Sequence, residues 1–308
     1  MNIKPIAFYL PQFHPIKENS EWWGEGFTDW TNVAKARPNF EGHYQPHIPK
    51  HLGFYDLRLV EIMGRQIDLA REFGIYGFCF YYYWFSGKRI LELPVNNFLS
   101  SDLDFPFCVC WANENWTRRW DGLDNEILLA QEYTPSNDLK FIQDLLPVLK
   151  DPRYIKIDGK PLLLVYRAGD LPDPTQTVSL WQSEAIKHGL SGLYLASVLS
   201  LWTPMRNPSM YSFDAMVEFP PHGFRSPVQN RPVRTNENSK DHVYCDYEKA
   251  IEISFKRGVP PFPFFRGVMP SWDNTARRQD NGLTFLGSSP SAYKKWLAGM
   301  VAYSYVNL

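Results

Sequence analysis

Residues 59–82 read LVEIMGRQIDLAREFGIYGFCFYY, and this stretch decides the fold. Leu59, Met63, Ile67 and Ala70 recur at the spacing of one helix face. Phe73-Gly74 closes the pattern, because glycine tolerates the left-handed conformation in which helices commonly end. From Tyr76 to Tyr82 the helical period vanishes and a continuous apolar run takes over, as in a strand buried on both faces. A helix feeding directly into such a strand predicts a parallel sheet.

The same pattern extends in both directions. Apolar runs of strand length occur at Ile6–Leu10, Tyr76–Tyr82, Phe107–Trp111, Leu162–Tyr166, Leu193–Val198, Ala215–Phe219 and, less sharply, Phe262–Val268. Helical patterns occupy Asn137–Leu149, Ser179–His188 and Ser291–Tyr305. Pro220–Asp241 is polar and irregular and reads as a long loop over one end. No linker composition appears. The expectation is one α/β domain over residues 1–308, a (β/α)8 TIM-like barrel that stops where its eighth strand is due.

The formal net charge is −1 and no Lys/Arg run is present, so a nucleic-acid partner is not expected. No signal peptide opens the chain and no stretch suits a membrane helix, so the default expectation is a cytoplasmic protein. Cys79, Cys108, Cys110 and Cys245 lack zinc spacing and read as buried free thiols. His43, His47 and His51 are four residues apart, but Pro46 and Pro49 break any helix that would align them on a metal. Neither a cofactor nor a metal is expected.

Barrel chemistry sits where strands end at their C-termini. After the third run stands Trp111-Ala112-Asn113-Glu114-Asn115-Trp116-Thr117-Arg118-Arg119-Trp120-Asp121-Gly122. Aromatic rings cover the C–H faces of a sugar while acids, amides and arginines bind its hydroxyls, so this mixture points to carbohydrate. Glu114 is a candidate acid, base or nucleophile, and a structural Glu–Arg pair is the plainer alternative. Gln12 and His14 follow the first run, and Trp23, Glu25 and Trp30 mix tryptophan with acid shortly after. Tyr83 and Trp84 follow the second run and Tyr166 ends the fourth. Glu218 and His222 lie at and beyond the sixth, and Arg266 and Trp272 at and beyond the seventh. Glu218 ends an apolar strand, where an acid is costly unless paired or functional. Which face each strand residue takes stays open at this point.

The segments Trp23–Val33, Gly53–Arg58, Phe107–Gly122, Tyr154–Tyr166 and Phe213–His222 resemble the WbsX-like family, which is related to glycoside hydrolase family 99. The resemblance spans almost the whole chain. It implies a (β/α)8 barrel acting on glycans in bacterial O-antigen or capsule synthesis. The hydrolase relatives are retaining endo-mannosidases whose key acids lie in an Asn-Glu-Trp-x-Glu-Gly motif on the last strand. That motif is missing here, so the chain reads as C-terminally truncated. What the resemblance carries over is a sugar-binding wall of Trp111, Asn113, Glu114, Trp116, Arg118, Arg119, Trp120, Asp121 and Glu218.

The leading expectation is therefore a glycoside hydrolase or glycosyltransferase of polysaccharide metabolism, with an oligosaccharide or polysaccharide as its substrate. Glu114 and Glu218 are its candidate catalytic acids, Glu114 reading more as a substrate-positioning acid because the family acids are absent. The alternatives are a non-catalytic glycan-binding protein and an inactive remnant. Separation of two carboxylates would distinguish retention from inversion.

Overall fold

A computed structural model describes residues 3–118, 123–200, 203–228, 232–233 and 242–307, without the side chains of 118 and 123–126. Seven strands form one continuous parallel ladder, each paired to the next in sequence: β1 Ile6–Tyr9, β2 Gly77–Phe85, β3 Phe107–Trp111, β4 Lys160–Val165, β5 Tyr194–Leu199, β6 Ala215–Glu218 and β7 Phe264–Phe265. All seven coincide with the apolar runs of the sequence. The seventh is only two residues long, against the seven expected.

The helix expected from Leu59 onward spans Val60–Glu72 and buries Met63, Ile67 and Ala70. Gly74 has φ +75°, the left-handed turn that its position predicted. Helices Pro135–Leu149 and Pro174–Lys187 begin earlier than the apolar period suggests. Each opens on a proline preceded by a capping side chain, Thr134 accepting from the Asn137 N–H and Asp173 from the Gln176 N–H. The last helix is Pro290–Asn307.

The sheet curls. Phe8 of β1 and Phe219, just beyond β6, are five strands apart in the ladder, yet their ring centroids are 4.7 Å apart. Tyr81, Tyr166 and Phe219, from β2 and the ends of β4 and β6, form a triangle with centroid distances of 6.0, 5.7 and 6.3 Å. Alternate strands thus contribute one layer of the interior, as in α/β barrels. The ladder register sets the facing: Tyr81, Cys110, Leu164, Ala196 and Ala215 line up on the inside, and Tyr82, Trp111, Val165, Ser197 and Met216 on the outside. All four cysteines are free and buried.

A second core lies beside the sheet. Helices Tyr247–Lys256 and Pro290–Asn307 pack Tyr247, Ile251, Trp296 and Met300 against a short parallel pair, Val243–Asp246 with Leu283–Leu286. The segment read as one long loop after β6 is thus bridged to this pair, Val228 N–H donating to the Tyr244 carbonyl.

Candidate functional site

The C-terminal ends of the strands gather polar and aromatic side chains at the mouth of the curl. Gln12, in the loop after β1, is buried; its Nε2 donates to the Tyr83 hydroxyl (2.6 Å) and its Oε1 accepts from Arg277 Nη2 (2.8 Å). Arg277 also donates to Asp29 Oδ1 at 3.0 Å. Burial pushes the Asp29 carboxyl up, and the Arg277 charge works against that shift. Trp116 stands edge-on to Tyr83 at 5.2 Å, on the hairpin strand Trp116–Arg118.

Glu114 is one residue past Asn113, with a quarter of its side chain exposed, and its Oε2 is 3.8 Å from Arg167 Nη1. Arg167 Nε pairs with Asp170 at 2.8 Å. Asn113 itself is fully buried. Its Oδ1 accepts from the Arg167 N–H (2.7 Å), and its Nδ2 donates to the Arg167 carbonyl (3.0 Å) and the Tyr133 hydroxyl (3.0 Å). Its amide bonds to neighbouring protein groups, which corrects its expected place among the sugar contacts.

Tyr166 and His222 form the floor. The Tyr166 hydroxyl is 3.3 Å from His222 Nε2, and the imidazole stacks on Phe219. Burial, aided by Arg225, lowers the His222 pKa to about 4, so the ring is neutral near pH 7. His14 is more deeply buried, and neither ring nitrogen has a hydrogen-bond partner among the described residues. Burial lowers its pKa to about 4 as well, with Asp56 opposing. Trp23 ends helix Lys17–Trp23 and Trp30 lies in helix Asp29–Lys35, both between β1 and β2. Trp30 Nε1 donates to the Tyr55 carbonyl (2.7 Å) and its ring packs on Phe13, while Trp23 packs on Trp22 and Phe27. Glu25 is exposed.

Four expected site residues face away from the mouth. Trp84 and Trp111 lie on the outer face of the sheet, Trp111 stacked on Phe141 of helix Pro135–Leu149 at 4.1 Å. Trp84 donates through Nε1 to Asp144 of the same helix at 2.9 Å. Both are strand-to-helix packing residues. Glu218 shares the outer face with Met216 and is 1% exposed. Its carboxylate accepts from Arg257 Nη1, Arg266 Nε (3.1 Å) and the Gly267 N–H (2.9 Å). Glu218 and Arg266 therefore form a buried clamp between β6, β7 and helix Tyr247–Lys256 and are withdrawn from the site. A Cβ at Gly267 would sit 2.5 Å from the Glu218 carbonyl oxygen, so only glycine fits that crossing. Trp272 packs against the second core. Arg119, Trp120 and Asp121, and the side chain of Arg118, lie outside the described residues.

A family model described as Glycosyltransferase WbsX matches residues 5–307. The chain belongs to the WbsX glycosyltransferase family. The chain is also similar to two proteins named uncharacterized protein WxcX, from Xanthomonas campestris pv. campestris strains B100 and ATCC 33913. Each is 42% identical over 304 residues, covering 98% of this chain and 43% of its own length, so this chain spans less than half of these relatives. Among solved structures it is similar to the GH99 endo-alpha-mannosidase of Bacteroides thetaiotaomicron, with TM-score 0.58, 12% identity, and coverage of 99% of this chain and 82% of that one. It is also similar to a glycoside hydrolase-like protein, with TM-score 0.56, 15% identity, and coverage of 96% and 79%. At these identities the likeness is one of fold: a curled parallel α/β sheet of the kind seen in GH99 enzymes.

Several residues of the mouth have no local signal in the sequence. Asp29 and Arg277 are 248 positions apart, and nothing local announces their contact. Arg167 stands beside Tyr166 in the sequence, but its approach to Glu114 is not local. A second bridge joins the same two segments. His43 Nδ1 accepts from the Asn39 N–H (3.0 Å), so Nε2 carries the proton and donates to Asp273 at 2.8 Å. Gln45 donates to the same carboxylate at 2.7 Å. Burial works to raise the Asp273 pKa, but the bonds from His43, Thr275 and Gln45 hold it well below the usual carboxylate range. Among the described residues no group of three His, Cys, Asp or Glu is arranged to hold a metal. No helix of the described residues is long and apolar enough to cross a membrane.

Proposed function

We propose that this chain is a cytoplasmic glycan-processing enzyme of bacterial O-antigen or capsule metabolism, binding its sugar at the C-terminal ends of the parallel strands. The observation that carries this reading is the grouping of partly exposed Glu114 and Arg167 with Trp116 and the Gln12–Tyr83 pair on one rim. A carboxylate and a guanidinium serve hydroxyls, and an indole ring beside them covers the C–H face of a sugar. The family and the GH99-like fold support the same class of substrate. Residues 1–308 are read as one domain and its sheet as seven strands of a (β/α)8 barrel. The eighth place lies between β1 and β7, whose outer edges carry no strand partner among the described residues.

Non-catalytic glycan binding is the second reading, favoured by one observation. With Glu218 committed to two arginines, Glu114 loses the only carboxylate expected to share its chemistry. The two readings separate on a panel of α-linked manno-oligosaccharides and bacterial polysaccharide repeating units. Calorimetric binding with release or transfer of a sugar supports the enzyme, and saturable binding without turnover supports the binder. Absence of both across the panel sinks the glycan reading altogether.

A further inference from the structure

We infer that Asn113 is a positioning residue that sets the Glu114 carboxylate against the Arg167 guanidinium, acting on the sugar only through them. The inference rests on the glycan reading of the mouth. After Ala112 the chain leaves β3 to enter the hairpin at Trp116, so the backbone ladder between β3 and β4 ends with the Tyr166 N–H donating to the Trp111 carbonyl. The Asn113 side chain continues that ladder. Its carbonyl oxygen and N–H group take the N–H and C=O of Arg167 as a facing peptide would. Tyr133, on the return from the hairpin, donates its hydroxyl to the Asn113 carbonyl at 2.6 Å and accepts from Asn113 Nδ2. One buried side chain therefore fixes three segments: the hairpin's entry, its exit and the end of β4. Glu114 is the next residue in the chain, and Arg167 is the residue being gripped. Their 3.8 Å approach is the geometric product of this clamp. A leucine of similar volume would leave the Arg167 N–H and C=O buried without these bonds, and both residues would shift.

The experiment has two arms, and failure of either overturns the inference. In the first, the heteronuclear NOE of the Arg167 Nε–H is compared between the wild-type chain, Asn113→Ala and Asn113→Asp. The inference expects backbone-like order in the wild type, a marked loss in Asn113→Ala even though Asp170 still faces Nε, and a smaller loss in Asn113→Asp, which keeps the acceptor and loses the donor. A folded Asn113→Ala chain with wild-type Arg167 order contradicts it. The second arm is a double-mutant cycle on the affinity for α-1,2-linked mannotriose. Asn113→Ala is expected to weaken binding about tenfold with Glu114 present and less than about twofold on a Glu114→Gln background. Equal losses on both backgrounds contradict it. Should wild type bind no mannotriose, the glycan reading loses that substrate while the first arm still decides the role of Asn113.

Discussion

Arg277, beyond β7, donates to Asp29, which opens helix Asp29–Lys35 beyond β1, at 3.0 Å. These two segments follow the first and last strands of the ladder, which do not pair with each other. The Arg277–Asp29 and Asp273–His43 contacts thus close the curl through side chains at its mouth, where the sheet does not close it through backbone.

Arg277→Ala leaves the Asp29 carboxylate buried without its main partner. About 2–3 kcal/mol of stability is expected to be lost, below the full figure for a buried pair because Arg277 is itself 38% exposed. Urea unfolding checks this, as a lower midpoint at an unchanged slope. Asp29→Asn on the same background should restore part of the loss, since it removes the uncompensated charge.

Trp111 and Trp116 lie five residues apart and should respond oppositely. Trp111→Ala opens a cavity against Phe141 and should cost about 3–5 kcal/mol. Trp116→Ala should lower the melting temperature little and weaken glycan binding by at least about tenfold. Melting curves and a glycan titration on both variants test the pair, and a large binding defect confined to Trp111→Ala would reverse the assignment.

His14 and His222 are held neutral with folded pKa values of about 4, against an unfolded value near 6.5. Below pH 6.5 the unfolded chain therefore takes up protons that the folded chain refuses. Stability should be flat above about pH 7 and fall as pH drops from about 6.5 to 4. Asp273 adds a second limb. Its carboxyl is depressed in the fold, so its contribution is present above the ordinary aspartate pKa of about 3.9 and fades below it. Melting temperature against pH reads both limbs, and His14→Phe should flatten the upper one.

Strand positions were legible because each of these parallel strands is a continuous apolar run. The same continuity hid their facing. A strand buried on both sides has no polar alternation to show that Trp111 turns to a helix while Cys110 and Ala112 turn inward. Glu218 obeyed the rule that a buried acid must be paired or functional, but Arg257 is 39 positions away, so its pairing could not be read locally. Asn113 and Glu114 were legible as site candidates. The contacts both make with Arg167, 54 positions from Asn113, appear only in three dimensions.

The most direct measurement sets Glu114→Gln beside Glu218→Gln, each melted and each titrated with the best-bound glycan of the panel. Glu218→Gln should cost about 3–5 kcal/mol of stability, by leaving two arginines uncompensated, while its folded fraction binds as wild type. Glu114→Gln should melt close to wild type and bind at least about tenfold more weakly. Wild-type binding by Glu114→Gln, or lost binding by a stably folded Glu218→Gln, would contradict the site drawn at this mouth.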